Sequence, residues 1–202
     1  MSEENGVIYR ISGPVVTAVG ISPRMYEVVR VGDEGLMGEV IELHGEQSVI
    51  QVYEETSGVR PGEPVIRTGQ TLSVQLGPGL LTKIYDGIQR PLPELEKTMG
   101  VFIKRGVDAD GLDLEKIWEF HATAKAGDSI SSGDVLGTVQ ETKTIEHRVM
   151  VPPGTSGVIK SINSGEFNVT QTVCTLEDGT EIQMMQKWPV RTPRPFTKKH
   201  AP

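Results

Sequence analysis

Short apolar runs separated by turn-forming residues recur from the N-terminus: Val7 to Ile11, Val15 to Val19, Met25 to Val31, Leu36 to Leu43, Val49 to Tyr53, Pro64 to Thr68 and Leu72 to Leu76. Between most of them stand Gly13-Pro14, Gly32-Asp33-Glu34-Gly35, His44-Gly45-Glu46 and Pro61-Gly62, where Pro presets φ and Gly accepts a positive one. Tyr26-Glu27-Val28-Val29-Arg30-Val31 and Ile50-Gln51-Val52-Tyr53 alternate, as strands with one dry and one wet face do. Six or seven such strands, each with edges to satisfy, predict a small closed barrel.

The period changes at Gly77-Pro78-Gly79. Leu80, Leu81, Ile84, Tyr85 and Ile88 lie at helical spacing and predict a helix that Pro91 stops. A second short helix is predicted over Pro93 to Met99, with Pro in its first turn and Gly100 at its end. Phe102 and Ile103, beside Lys104 and Arg105, are compatible with an edge strand. Strand spacing returns after Leu114, at Trp118 to Ala122, Val135 to Gln140, His147 to Val151, Gly157 to Ile162, Phe167 to Val173 and Glu181 to Met185. Explicit turns such as Ser132-Gly133-Asp134 and Asn163-Ser164-Gly165 separate them. The fold class is therefore mainly β: a barrel over 1–76, a short α/β connecting segment over 77–110, a second β-rich domain over 111–186 and a terminal stretch over 187–202.

Composition agrees and narrows the function. A chain of 202 residues buries about 70% of its unfolded surface, enough for a core or two small ones. The 23 Gly and 13 Pro exceed the usual share and mean many turns. Twenty Lys plus Arg against 27 Asp plus Glu give a net charge of −7, the wrong sign for a protein that coats nucleic acid or anionic lipid by bulk charge. The five basic and no acidic residues beyond Ile182, namely Lys187, Arg191, Arg194, Lys198 and Lys199, run against that trend. One cysteine, Cys174, excludes an internal disulfide, no apolar stretch is long enough for a membrane span, and the cytoplasm is the expected compartment. His44, His121, His147 and His200 lack any metal-ligand spacing, so no metal site is expected.

Candidate chemistry is thin. Gly77-Pro78-Gly79-Leu80-Leu81-Thr82-Lys83 has the glycines of a phosphate loop, but Pro78 removes a donor and Lys83 follows Thr82 where a Gly-Lys-Ser/Thr order is needed. Asp108-Ala109-Asp110-Gly111 sets Gly at the wrong position for a calcium loop and is expected to serve capping and turns. Gly154-Thr155-Ser156-Gly157 is one residue short of a nucleophile elbow. Cys174 lies in an apolar run as a structural thiol, and Glu54-Glu55 beside a turn is expected to be solvated. Trp188-Pro189-Val190-Arg191-Thr192-Pro193-Arg194-Pro195 fits either a polyproline ligand or an extended lead-in to another domain.

Two resemblances go further. Gly127-Asp128, Gly133-Asp134-Val135-Leu136-Gly137-Thr138-Val139-Gln140-Glu141-Thr142-Lys143 and Val151-Pro152-Pro153-Gly154-Thr155-Ser156-Gly157 resemble the barrel-sandwich layout of lipoyl and biotinyl carrier domains. That resemblance implies Lys143 as the modified lysine, although Glu-Thr-Lys-Thr departs from the carrier setting.

The second resemblance covers nearly the whole chain. Ile11-Ser12-Gly13-Pro14-Val15-Val16, Gln51-Val52-Tyr53-Glu54-Glu55-Thr56-Ser57-Gly58, Leu76-Gly77-Pro78-Gly79-Leu80-Leu81, Ile84-Tyr85-Asp86-Gly87-Ile88-Gln89-Arg90-Pro91-Leu92, Phe102-Ile103-x-Arg105-Gly106, Met150-Val151-Pro152-Pro153 and Met184-Met185-Gln186-Lys187-Trp188-Pro189-Val190-Arg191 resemble the catalytic A subunits of archaeal and vacuolar rotary ATPases. The resemblance implies an N-terminal barrel, the start of a nucleotide-binding domain within 77–110, an inserted bulge over 111–186 and a lead-in to the nucleotide-binding core over 187–202. It implies B subunits as partners in an alternating hexamer, central and peripheral stalk subunits, Mg-ATP or ADP as the parent's ligand, and peripheral attachment to the membrane through the complex. The parent couples ATP synthesis or hydrolysis to proton or sodium transport. The family's phosphate loop, general-base glutamate and adenine pocket are expected beyond Pro202, so no catalytic, cofactor-binding or metal residue carries over and the segment is expected to be inactive alone.

Overall fold

Valine and isoleucine at alternate positions give each N-terminal strand one face that must leave water, and in the computed structural model those faces meet. The structure describes residues 5–81, 83–99 and 105–195. The chain folds as two compact units, Met1–Ser73 with Glu94–Ala109, and Val74–Pro93 with Asp110–Pro202.

Six antiparallel strands among the described residues of the first unit close a barrel: β1 (Gly6–Ser12), β2 (Val15–Val19), β3 (Glu27–Val31), β4 (Leu36–His44), β5 (Gln47–Val52) and β6 (Pro64–Thr71). Their order is β1-β2-β5-β4-β3-β6, and β6 returns to β1 at Gly6↔Val65 and Val7↔Pro64. Val16, Ile50 and Val40 sit opposite one another across β2, β5 and β4. With Ile8, Val29, Val31, Leu36 and Val65 they fill the interior. Gly38 of β4 is required by this packing, because a Cβ there would lie 2.6 Å from Ile50 Cγ2.

Glu27 is 2% exposed within this unit. Arg67 Nε and Nη2 donate to its two carboxylate oxygens, both at 2.9 Å, and the backbone N–H groups of Arg24 and Gly69 donate to them at 2.9 and 3.1 Å. Burial pushes the Glu27 carboxyl up, but Arg67 and the backbone donors outweigh it and hold the group below the usual carboxylate range. Residues 105–108 strap the barrel loops: Arg105 donates to the carbonyls of Glu55 and Ser57 and to Glu34, the Gly106 N–H to Glu54, and Arg30 pairs with Asp108.

Two elements, β7 (Ser73–Leu76) and α1 (Leu92–Met99), fall in sequence where one unit gives way to the other. The second unit continues with β8 (Trp118–Ala122), β9 (Ser129–Ile130), β10 (Val135–Gln140), β11 (Glu146–Met150), β12 (Gly157–Ile162), β13 (Gly165–Phe167), β14 (Thr172–Leu176), β15 (Glu181–Gln183) and β16 (Gln186–Pro189). Two four-stranded sheets, β11-β10-β8-β13 and β15-β14-β12-β9, enclose one core of Phe120, Leu136, Val139, Val149, Ile159, Val173, Leu176 and Ile182. Gly137 of β10 admits the Phe120 ring, since a Cβ would fall 2.5 Å from it and 2.4 Å from the His121 carbonyl.

The helix predicted from Leu80 to Ile88 does not form. Asp86 Oδ1 accepts from the N–H groups of Ile88 and Arg90 at 3.0 and 2.8 Å, a local bond that competes with the helical ladder. Gln89 has φ +66°, which no helix interior accommodates. The strand predicted over Phe167 to Val173 is broken likewise, because Asn168 Oδ1 accepts from Thr170 and Gln171 N–H groups, both at 3.0 Å, and turns the chain between β13 and β14. The Leu72 to Leu76 run is β7, which pairs with β16 and stands outside the barrel. The edge strand at Phe102, Ile103 and Lys104 lies outside the described residues, whereas the second predicted helix is α1.

Candidate functional site

The Gly77–Leu81 loop, singled out for its glycines, does bind an anion, and the anion is the protein's own. The backbone N–H groups of Gly79 and Leu81 converge on Glu141 Oε1 at 2.8 and 3.0 Å. Gly79 reaches this geometry at φ +104°, open to glycine and strained for any other residue. Glu141 follows the end of β10, its side chain only 4% exposed, and His147 Nδ1 of β11 stands 3.4 Å from its other oxygen. The His147 ring shares a face with Val139, its register partner, and with Phe120, the partner of Val139 on β8. Burial pushes the imidazole below its ordinary value, and the Glu141 carboxylate offsets this only in part. Two backbone donors aimed at one oxygen form an anion nest. Here the nest is filled, so its donors are not available to a phosphate.

Beside this loop the segment 84–91 is fixed by side chains that imitate backbone. Gln89 Oε1 accepts from the Gln75 N–H and Gln89 Nε2 donates to the Gln75 carbonyl, both at 2.7 Å, so one amide closes on β7 as a strand would. Gln75 in turn accepts from the Leu112 N–H at 2.9 Å and donates to Asp110 at 2.6 Å. Gly111 lies over Gln89, where a Cβ would be 2.7 Å from Cδ. Arg90 Nε donates to Asp86 Oδ2 at 2.7 Å. Burial raises the Asp86 carboxyl, but Arg90 and the backbone donors bring it below its ordinary value.

Most of the other candidate residues have partners within the fold. Asp108 pairs with Arg30, and Asp110 with Gln75, so neither serves the cap or turn expected of it. Glu54 accepts from the Gly106 N–H at 3.1 Å and is half-buried, not a fully solvated charge. Glu55 is exposed and accepts from Ser57. Cys174 is buried in β14, and burial raises its thiol above the ordinary range, as a structural thiol requires. Gly154 leads into β12, with its N–H on Ser132 Oγ at 2.9 Å. Trp188 is held within the fold and is not presented as a free polyproline ligand. It lies in β16, its Nε1 donates to the Thr192 carbonyl at 2.7 Å, and Arg194 stacks 4.7 Å from its ring. Lys143 is exposed in the β10–β11 turn. Among the described residues no three His, Cys, Asp or Glu side chains stand close enough to hold a metal ion, and no helix is long and apolar enough to cross a membrane.

Two family models match, and they match the two folded units' sheets. The ATP synthase alpha/beta family β-barrel domain covers residues 8–69, and the barrel-sandwich domain of ATPsynthase alpha/beta subunits covers residues 109–191. A barrel followed by a barrel-sandwich places the chain in the class of ATP synthase alpha/beta-type subunits. The chain is 61% identical over 200 residues to the A subunit of the A-type ATP synthase of Methanosarcina barkeri, 63% over 198 to that of Methanoculleus marisnigri and 58% over 200 to that of Natronomonas pharaonis. These matches cover 98–99% of this chain and 34–35% of the relatives, so the chain spans about a third of their length. It belongs to the family of A-type ATP synthase A subunits and corresponds to the N-terminal region of its members. The carrier reading of Lys143 finds no support in these matches.

Proposed function

We propose that this region is the assembly and bulge portion of the A subunit in a rotary ATP synthase. In this role the barrel, β1 to β6, packs in a ring of alternating A and B subunits, and the domain over 111–186 projects as a bulge towards stalk subunits. The segment 77–110 begins the nucleotide-binding domain and 187–202 leads towards its core. Mg-ATP or ADP is handled by the phosphate loop of the parent protein, whose turnover is coupled to proton or sodium transport through a complex held peripherally at the membrane. Identity of 55–63% over 98–100% of the chain, through barrel, connecting segment and sandwich, supports this role. The division of labour is supported by the sequence itself, which contains no Gly-x-x-x-x-Gly-Lys-Ser/Thr run, and by the Gly77–Leu81 loop, whose donors are engaged by Glu141.

A chimaera tests it. Residues 1–202 replace the matching region of the Methanosarcina barkeri A subunit, which is then produced with its own B subunit. The expected product is an alternating A–B ring that hydrolyses Mg-ATP, while the 202-residue chain alone gives no Mg²⁺-dependent ATP isotherm by calorimetry. Failure of a folded chimaera to join the B subunit, or a stoichiometric, salt-resistant isotherm from the chain alone, would overturn the proposal.

A further inference from the structure

At the β10–β11 hairpin a half-buried histidine stands against a buried carboxylate that itself clamps a glycine loop. We propose that Glu141 and His147 form a proton-operated latch, which holds the Gly77–Leu81 loop on the tip of the β10–β11 hairpin and releases it on acidification. The holding element is the pair of N–H donors from Gly79 and Leu81 on Glu141 Oε1 at 2.8 and 3.0 Å. Charge-assisted bonds of this kind are about twice as strong as neutral ones. The operating element is His147, 3.4 Å from Glu141 and at the end of the dry stripe that Val149 begins on β11.

The surroundings of the ring fix the direction of the response. The Gly77–Leu81 loop carries no ionisable side chain, and neither does β10. On β8, Phe120 lies on the same face of the sheet as the ring, whereas Glu119 and His121 belong to the opposite, exposed face. Glu146 and Arg148 flank His147 on its own strand and alternate to that outer face, and Lys143 is exposed in the turn. Glu141 is thus the charged group set against the imidazole, and its attraction does not outweigh the loss of water around the ring. His147 is therefore held neutral while the latch is shut and takes up a proton more readily once the hairpin tip loosens and water enters. By linkage, falling pH favours the state that binds the extra proton, which is the open one. The window lies below the ordinary histidine value near 6.5, and above the range in which exposed carboxylates begin to protonate.

Amide hydrogen exchange on the full 202-residue chain reads the latch directly. After correction for intrinsic exchange, the protection of the Gly79 and Leu81 amides is expected to fall about three- to tenfold from pH 7.5 to 5.5, while Phe120 in the central strand β8 stays unchanged. His147→Gln, which cannot titrate, is expected to keep protection at Gly79 and Leu81 constant across that range. Glu141→Ala is expected to lower it at least about tenfold at pH 7.5. A wild-type profile that does not vary with pH, the same pH dependence in His147→Gln, or full protection in Glu141→Ala would each overturn the latch. Should Glu141→Ala also lose protection at Phe120, the wild-type and His147→Gln profiles decide the matter between them.

Discussion

Replacing Arg67 by Met keeps an aliphatic stem of similar length but strips the guanidinium from a carboxylate that is 2% exposed. Glu27 then keeps only the Arg24 and Gly69 N–H donors out of four bonds. Breaking a buried pair by removing one partner costs about 3–5 kcal/mol. Because the Arg67 side chain is 31% exposed, water reaches part of the vacated space, and the expected loss is about 2–3 kcal/mol. A barrel of this size has a urea m-value near 1 kcal/mol/M, so the midpoint drops by about 2–3 M. The measurement follows the amides of Val29 and Ile50, both fully buried in the barrel, by NMR through a urea titration. Acid supplies a second reading. Glu27 has a folded value below its unfolded value of 4.5, so it contributes stability above pH 4.5 that is lost as pH falls through the folded value. Arg67→Met flattens that acid limb, and adding Glu27→Gln to it recovers most of the loss. A midpoint shift smaller than about 0.5 M, or an unchanged acid limb, would refute the account of a desolvated carboxylate held by Arg67.

Gly137→Ala drives a Cβ to 2.5 Å from the Phe120 ring and should cost about 1–3 kcal/mol by overpacking, seen as a lower unfolding midpoint in Trp118 and Trp188 fluorescence. Phe120→Ala, at 0% exposure, should cost about 3–5 kcal/mol in the same assay. Gln89→Ala leaves the Gln75 N–H and carbonyl without their partner, and the Gln75 amide should lose about tenfold or more in exchange protection. Lys143→Arg should change stability by less than about 0.5 kcal/mol, and protein from its native source should carry no lipoyl or biotinyl mass at Lys143.

The strands most faithfully announced by the sequence are those whose partners are interchangeable. Val15–Val19, Trp118–Ala122, Val135–Gln140 and Gly157–Ile162 form with the predicted ends, because apolar alternation needs only a dry surface to meet. Prediction fails wherever one side chain speaks to one backbone group. The stripe at Leu80 to Ile88 has the period of a helix, but Asp86 and Gln89 impose a different backbone through bonds that periodicity does not register. Asn168 splits β13 from β14 in the same way. β16 escapes a reading by pattern because Pro189 ends it and its partner β7 lies more than a hundred residues earlier. The residue order at Gly77 to Lys83 argues against a phosphate loop but does not reveal the loop's occupant, Glu141, which is 62 residues from Gly79. A lone acidic residue after an uncharged strand is the sole local hint.

Cys174 gives this chain a clock. The single thiol of the sequence is 1% exposed in β14, between β12 and β15, and burial raises its ionisation above the ordinary range. A thiol-specific reagent added to native protein therefore waits for the β15-β14-β12-β9 sheet to open, and the rate of labelling counts those openings one molecule at a time. A cysteine introduced on any exposed turn would react long before it, so fluorophores for distance measurements can be attached without first removing the native residue.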